Sequence, residues 1–145
     1  MADVILLDGS IGQELVRRSG AAPTPLWSTR VMIDRPELVQ ALHADFFRAG
    51  ATVATTNTYP ILRDRLERVG LQDRIADLTD RAIRAAVDAR DAHGSGAIAG
   101  AIGPLFGSYR PDLCPPVETA AAMYAEPLSL LADRVDLLLF ETMSS

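Results

Sequence analysis

The stretch Val4-Ile5-Leu6-Leu7-Asp8-Gly9 constrains this chain more than any other. An unbroken apolar run, cut off at an Asp-Gly turn signal, predicts a strand buried on both faces, as in a parallel sheet. The carboxylate then sits at the carboxyl end of the strand, the edge at which α/β folds bind ligands. The pattern returns at the far end of the chain, where Leu137-Leu138-Leu139-Phe140 runs into Glu141-Thr142. One rim of the fold is therefore expected to carry two acids, Asp8 and Glu141.

Two further strands are expected between them, Ala51 to Thr56 and Ala97 to Ile102. The small residues of the latter suggest close packing against a neighbour. Helical material separates all four. Gln13 to Arg18 predicts a short helix stopped at Ser19-Gly20. Asp34 reads as an N-cap and Pro36 as a first-turn proline for a helix reaching Ala49, with Leu38, Leu42, Phe46 and Ala49 at helical spacing and Val39 and Phe47 flanking. Arg63 to Val69 predicts a short helix, and Leu71 to about Ala92 a long one with Ile75, Leu78, Ala82, Ala86 and Ala89 inward. Its other face alternates Arg and Asp, the pattern of a solvated surface. Val117 to Ala132 predicts the last helix, with a kink or restart where Pro127 interrupts it.

Strands starting near residues 4, 52, 97 and 137 make a βα repeat, for which parallel pairing and right-handed crossovers are expected. A doubly wound sheet and a (β/α)8 barrel both fit the order. Four units in 145 residues scale to eight in roughly 290, inside the range of such barrels. The fourth unit stops just after its strand, so the reading is a single partial domain over 1–145, without a linker.

The rim loops would follow these strands. Asn57-Thr58-Tyr59-Pro60 can present polar groups to a ligand or simply make local turn bonds. Gly103 to Asp112 is a longer loop whose glycines allow backbone to approach a ligand. No G-x-G-x-x-G follows any strand, which argues against a dinucleotide fingerprint.

A formal net charge of −5 argues against a nucleic-acid or anionic-membrane partner. No apolar run approaches the ~20 residues of a membrane span. The N-terminus lacks the basic patch of a secretory signal, so a cytoplasmic protein is expected. All 14 basic residues are arginine, which removes lysine Schiff-base chemistry and any Walker A lysine. The single cysteine, Cys114, cannot build a disulfide framework or a thiolate metal site and reads as a surface thiol. His43 lies inside a helix and His93 at a helix end, neither with a His or Cys partner at ligand spacing.

Taken in order, the motifs resemble the N-terminal half of the homocysteine S-methyltransferase family. Asp8 to Leu15 is similar to that family's D-G-[GA]-x-G-T-x-L, although Ser10 and Gln13 depart from its commonest residues. The helix ending at Gly50 is similar to P-E-x-[VI]-x-x-x-H-x-x-[FY]-x-x-A-G, and Thr56 to Tyr59 to T-N-T-[YF]. Gly103-Pro104 and Asp136 to Thr142, as D-x-[LI]-x-x-E-T, complete the order.

The resemblance implies a (β/α)8 methyltransferase whose zinc keeps homocysteine as a thiolate that takes a methyl group and becomes methionine. By motif position, Asp8 and Glu141 would hold the amino group of homocysteine, Gly9 would allow close backbone approach, and Thr56 and Asn57 would shape the pocket. No residue of this chain matches a catalytic or metal position. The family's three cysteine ligands lie in its other half, so zinc is expected only of the complete barrel, and a chain of this extent is expected to be inactive alone. The implied partners are homocysteine and a methyl donor. Two other readings stand beside it: a half-barrel assembly module that self-associates through exposed strand edges, and an unrelated metal-dependent hydrolase or lyase of the same barrel class.

Overall fold

In the computed structural model, which describes residues 4–22 and 24–143, the chain is an α/β fold built on three parallel strands. Residues 1–3, including the approach to the first expected strand, lie outside the described residues, as do Pro23 and the last two positions. Strand β1 is Val53–Thr55, β2 is Ala97–Ile102 and β3 is Leu137–Phe140, in the order β1-β2-β3. Ala54 pairs with Ile98, and Ala99 with Leu137. The helices are α1 Ile11–Ser19, α2 Ser28–Asp34, α3 Pro36–Arg48, α4 Arg63–Glu67, α5 Ile75–His93 and α6 Val117–Leu131.

The first expected strand is present only as a rudiment. Leu7 makes an isolated parallel bridge to Val53. The Thr52 N–H donates to the Leu6 carbonyl at 2.8 Å, and the Asp8 N–H to the Val53 carbonyl at 3.0 Å. The direction and neighbour are those of a parallel strand, but the ladder is too short to be regular. Among the described residues, then, three strands are regular and the first is a single bridge.

The two apolar runs also differ from expectation in burial. Val4 is 89% exposed and Phe140 50% exposed, with Leu6, Leu137 and Leu138 also exposed. These runs form the outer members of the sheet. Among the described residues no further strand or helix layer covers their outer side, although Phe140 meets the Tyr124 ring of α6 edge-on at 6.1 Å.

The core lies between the sheet and the helices. Leu15 of α1, Met32 of α2, Val39 and Leu42 of α3, Leu66 of α4 and Leu78 and Ala82 of α5 form its largest cluster. The stripe predicted for α5 is buried throughout. Its outer face is laced with ion pairs such as Asp77 to Arg81 and Asp80 to Arg84, exposed pairs worth at most ~1 kcal/mol each. On α3 the buried stripe is Val39, Leu42, His43 and Phe47, rotated from the expected face, so that Ala49 is exposed and Phe46 half-buried. Gly100 on β2 allows Leu131 and Val135 to pack within 3.2 Å of where its Cβ would be, the close approach its small residues suggested.

Two end signals resolve differently from expectation. Asp34 is the last residue of α2 and pairs with Arg30, leaving Arg35 at the N-cap position of α3. A seven-residue helix had already taken up Ser28 to Asp34, a segment too short to show periodicity. Helix α6 runs through Pro127 without a restart, its proline ring buried in return for the lost N–H.

A hydroxyl relay locks β1's rim loop to β2. The Ala101 N–H donates to Thr56 Oγ1 at 3.2 Å, and Thr58 Oγ1 donates to the Ala101 carbonyl at 2.6 Å. The 2.7 Å contact between the two hydroxyls must then run from Thr56 to Thr58, since each has one proton. Replacing Thr58 with Val breaks a buried circuit and leaves polar groups unpaired. Urea denaturation is expected to show a loss of about 1–3 kcal/mol.

Candidate functional site

The carboxyl ends of the strands open onto a cleft of about 580 Å³. Gly9, Ser10 and Gly12 line it from the first rim, and Thr55, Thr56, Asn57 and Tyr59 from the second. Ala101, Ser108 and Tyr109 line it from the third, and Glu141 and Thr142 from the last. Trp27 and Arg65 enter from the sides. Four of the residues singled out in the sequence, Gly9, Thr56, Asn57 and Glu141, thus share one cavity wall. Asp8 does not line it: its side chain is 1% exposed and lies just behind Gly9.

Backbone pairing sets the acids in place. The ladder bond from Asp8 fixes one, and the Glu141 N–H donates to the Ile102 carbonyl at 3.0 Å to fix the other. The Asp8 carboxylate accepts the Thr55 N–H at 2.7 Å on Oδ2 and the Thr55 hydroxyl on Oδ1. Burial nevertheless dominates, pushing the Asp8 carboxyl from 3.8 up to about 6 against the lowering effect of Thr55. Burial also raises Glu141, and the charge of Asp8 adds to the rise. Two carboxylates raised by burial, Glu141 also by the charge of Asp8, with no arginine paired to either among the described residues, make a site suited to a cation.

Beneath Asp8 lies His43 of α3, fully buried, with Nδ1 at 3.9 Å from Asp8 Oδ2. Neither ring nitrogen has a hydrogen-bond partner among the described residues. Burial holds the imidazole neutral, lowering it from 6.5 to about 4. A buried unpaired polar group costs ~1–3 kcal/mol, so this ring needs a reason to be there.

Thr56 and Asn57 line the cleft but are largely engaged. Thr56 spends its proton on the relay. Asn57 Oδ1 accepts the Ser28 hydroxyl at 2.7 Å, and its Nδ2 lies 3.4 Å from the Ser28 carbonyl, tying the rim loop to α2. They shape the wall more than they offer bonding capacity.

The sequence reading missed the aromatic side of the cleft. Trp27 stands edge-on to Tyr59, ring centroids 6.1 Å apart, over Gly12, where any Cβ would strike the indole. Tyr59 shares a 2.6 Å hydrogen bond with Ser108 and carries the Arg65 guanidinium 5.2 Å from its ring centre. Residues of α4 hold the long loop beneath: Arg65 donates to the Pro104 carbonyl, and Asp64 accepts the Phe106 N–H, both at 2.7 Å. A lone tryptophan in a proline-containing loop was the available signal. Trp27, Tyr109 and Thr142 all line the cleft in left-handed backbone, with φ of 48°, 61° and 58°. Such conformations are costly for non-glycine residues and concentrate at ligand sites.

The homocysteine S-methyltransferase family model matches residues 5–145. This chain belongs to that family. It is 32% identical over 157 aligned positions to a homocysteine S-methyltransferase of Escherichia coli K12, covering 97% of this chain and 50% of the relative. The homocysteine S-methyltransferase YbgG of Bacillus subtilis 168 is also 32% identical, over 75% of this chain and 38% of its own length. The metallated crystal form of the Escherichia coli homocysteine methyltransferase MmuM superimposes with a TM-score of 0.86 at 33% identity, over 97% of this chain and 54% of that one. The chain thus spans about half the length of the curated relatives it matches. Membership of the family sets aside the unrelated hydrolase or lyase.

A homocysteine methyltransferase of the metallated kind needs a donor set for its ion. Among the described residues no three His, Cys, Asp or Glu side chains are grouped to hold one. Cys114 is exposed, beyond the 3-10 turn at Pro111–Leu113, and does not line the cleft. The described residues offer no donor set that fits zinc.

Asp8 and His43 make opposite demands on stability. Asp8 binds its proton more readily folded than unfolded, so acidification from about pH 6 towards 4 stabilises the fold through it. His43 binds its proton less readily folded, so acidification from 6.5 towards 4 destabilises the fold through it. The two largely cancel. His43→Asn is expected to uncover a rise in stability on acidification, and Asp8→Asn a fall, each of order 2 kcal/mol in urea titrations at pH 4.5 and 6.5.

Proposed function

We propose that this chain is the amino-acid-binding half of a (β/α)8 homocysteine S-methyltransferase, its strands being the first four of the barrel. The observation that carries this is the carboxylate pair at the rim. Asp8 and Glu141, both raised by burial and Glu141 also by the charge of Asp8, are poised for a substrate ammonium. Binding the ammonium of homocysteine would relieve both. A carboxylate has about four acceptor sites, and Thr55 uses two of those on Asp8, which leaves capacity for the ligand. Gly9 lets the ligand's backbone atoms come close, while Thr56 and Asn57 shape the wall.

In the complete reaction the homocysteine sulfur, as thiolate, forms a bond to a methyl carbon. The bond from that carbon to the donor's sulfur or nitrogen breaks, and the electron pair leaves with the donor. The Trp27 and Tyr59 rings at the cleft edge suit a methylated cation, since aromatic rings attract such charge. Zinc, held by cysteines of the second half as the resemblance implies, belongs to the complete enzyme. A cytoplasmic setting agrees with this chemistry. No helix among the described residues is long and apolar enough to cross a membrane.

The exposed runs Val4 to Leu7 and Leu137 to Phe140 favour a second reading, a half-barrel that associates with another copy through its strand edges. Sedimentation separates the two: a discrete dimer supports the module.

Isothermal titration of the chain with L-homocysteine is expected to show binding that fades as pH falls through about 6, where Asp8 takes up its proton. Glu141→Gln is expected to weaken it roughly 10- to 100-fold, the loss of one charge-assisted contact. Methionine formation from homocysteine and S-methylmethionine is expected only once a polypeptide supplying the second half of a relative is added. Unchanged affinity in Glu141→Gln would overturn the assignment of the ammonium to this rim.

A further inference from the structure

Resting on the reading of Asp8 as an ammonium ligand, we propose that His43 is its positioning residue: the neutral ring donates Nδ1–H to Asp8 Oδ2 and orients the carboxylate for the ligand.

Three observations support it. First, His43 sits on the buried stripe of α3 between Leu42 and Phe47, where an apolar side chain would pack without cost. Its two ring nitrogens have no other partner among the described residues. Second, an acceptor with spare capacity lies close to Nδ1. Asp8 Oδ2 stands 3.9 Å away, and Thr55 N–H occupies only one of its two lone pairs. Closing that gap to hydrogen-bond length takes a shift of about 1 Å. Oδ1, engaged once by the Thr55 hydroxyl, keeps a lone pair for the ligand. Third, α3 is seated directly under the turn. The Phe46 ring occupies the space a Cβ on Gly9 would need, 2.7 Å from its position. Glycine at position 9 is thus what lets the helix carrying His43 reach Asp8.

Neutrality is part of the design. A protonated imidazole here would itself neutralise Asp8 and compete with the ammonium. Burial keeps the ring uncharged, so it can orient the carboxylate without consuming its charge. Asp8 faces it from the first segment, and the charge of Asp8 in turn raises Glu141 on the cleft side. The charged residues on its own helix turn outward: Glu37 pairs with Arg35, and Asp45 with Arg18 and Arg48. On α5, packed against α3, Asp77, Asp80, Arg81 and Arg84 are ion-paired away from the core.

The test uses the 145-residue chain, with the tautomer and affinity read at pH 7 and the Asp8 carboxyl titrated across its midpoint. Nitrogen-15 NMR of the unsubstituted protein should show a neutral His43 with its proton on Nδ1. Carbon-13 NMR should place the Asp8 titration midpoint about one pH unit higher in His43→Phe, which removes the donor, and return it in His43→Asn, which keeps one near the Nδ1 position. Affinity for L-homocysteine should fall about tenfold in His43→Phe and recover in His43→Asn. A proton on Nε2, or an Asp8 midpoint that does not move in folded His43→Phe, overturns the proposal. Should His43→Phe fail to fold, the tautomer of the unsubstituted chain decides. An unsubstituted chain that binds no homocysteine overturns the ammonium reading alone, and the tautomer and midpoint still decide this one.

Discussion

Asp8 and Thr55 form the contact on which the rest of this structure depends. Among the described residues the first segment makes one bridge to the sheet, and its apolar side chains are exposed. What anchors it is the carboxylate at its end, which takes both the N–H and the hydroxyl of Thr55. That clamp fixes the first rim against the second. It also buries a negative charge that two hydrogen bonds do not fully compensate. The unmet electrostatic demand beside the cleft is the property a ligand ammonium would satisfy.

The cleft wall is held by polar circuits rather than by the sheet alone. The threonine relay binds the rim after β1 to β2, and the Ser28–Asn57 bond binds it to α2. Below, Asp64 and Arg65 grip the backbone of the long loop after β2. These bonds leave little freedom in the loops that carry Trp27, Tyr59 and Tyr109. Such rigidity is what allows three lining residues to persist in left-handed backbone.

Much of this was legible in the chain itself. The α5 stripe, β2 and the glycine-terminated α1 follow from periodicity and end signals that act over a few residues. So did the delivery of Asp8 and Glu141 to one rim, because a parallel strand ending in an acid has only one place to put it. Helix α2 and the face of α3 were not legible. Seven residues carry too little periodic signal, and Phe46 and Phe47 each offer an apolar side chain to rival faces of α3. Burial of the outer strands was misread for a different reason. Apolar runs record the packing a strand is suited to, whereas burial requires that the covering layer be there.

By itself, then, the sequence determined the βα order, the parallel direction of the strands and the two acids at their carboxyl ends, since each follows from local pattern and chain chirality. It determined the family as well, through motifs in order. Only the tertiary structure decided that Asp8 sits behind the cleft wall rather than on it, and that Thr56 and Asn57 are spent on holding loops together. It alone placed His43 under Asp8 and Trp27 over Gly12. Those pairings join segments up to 35 residues apart, and no local signal encodes which distant partner a buried polar or aromatic group will meet.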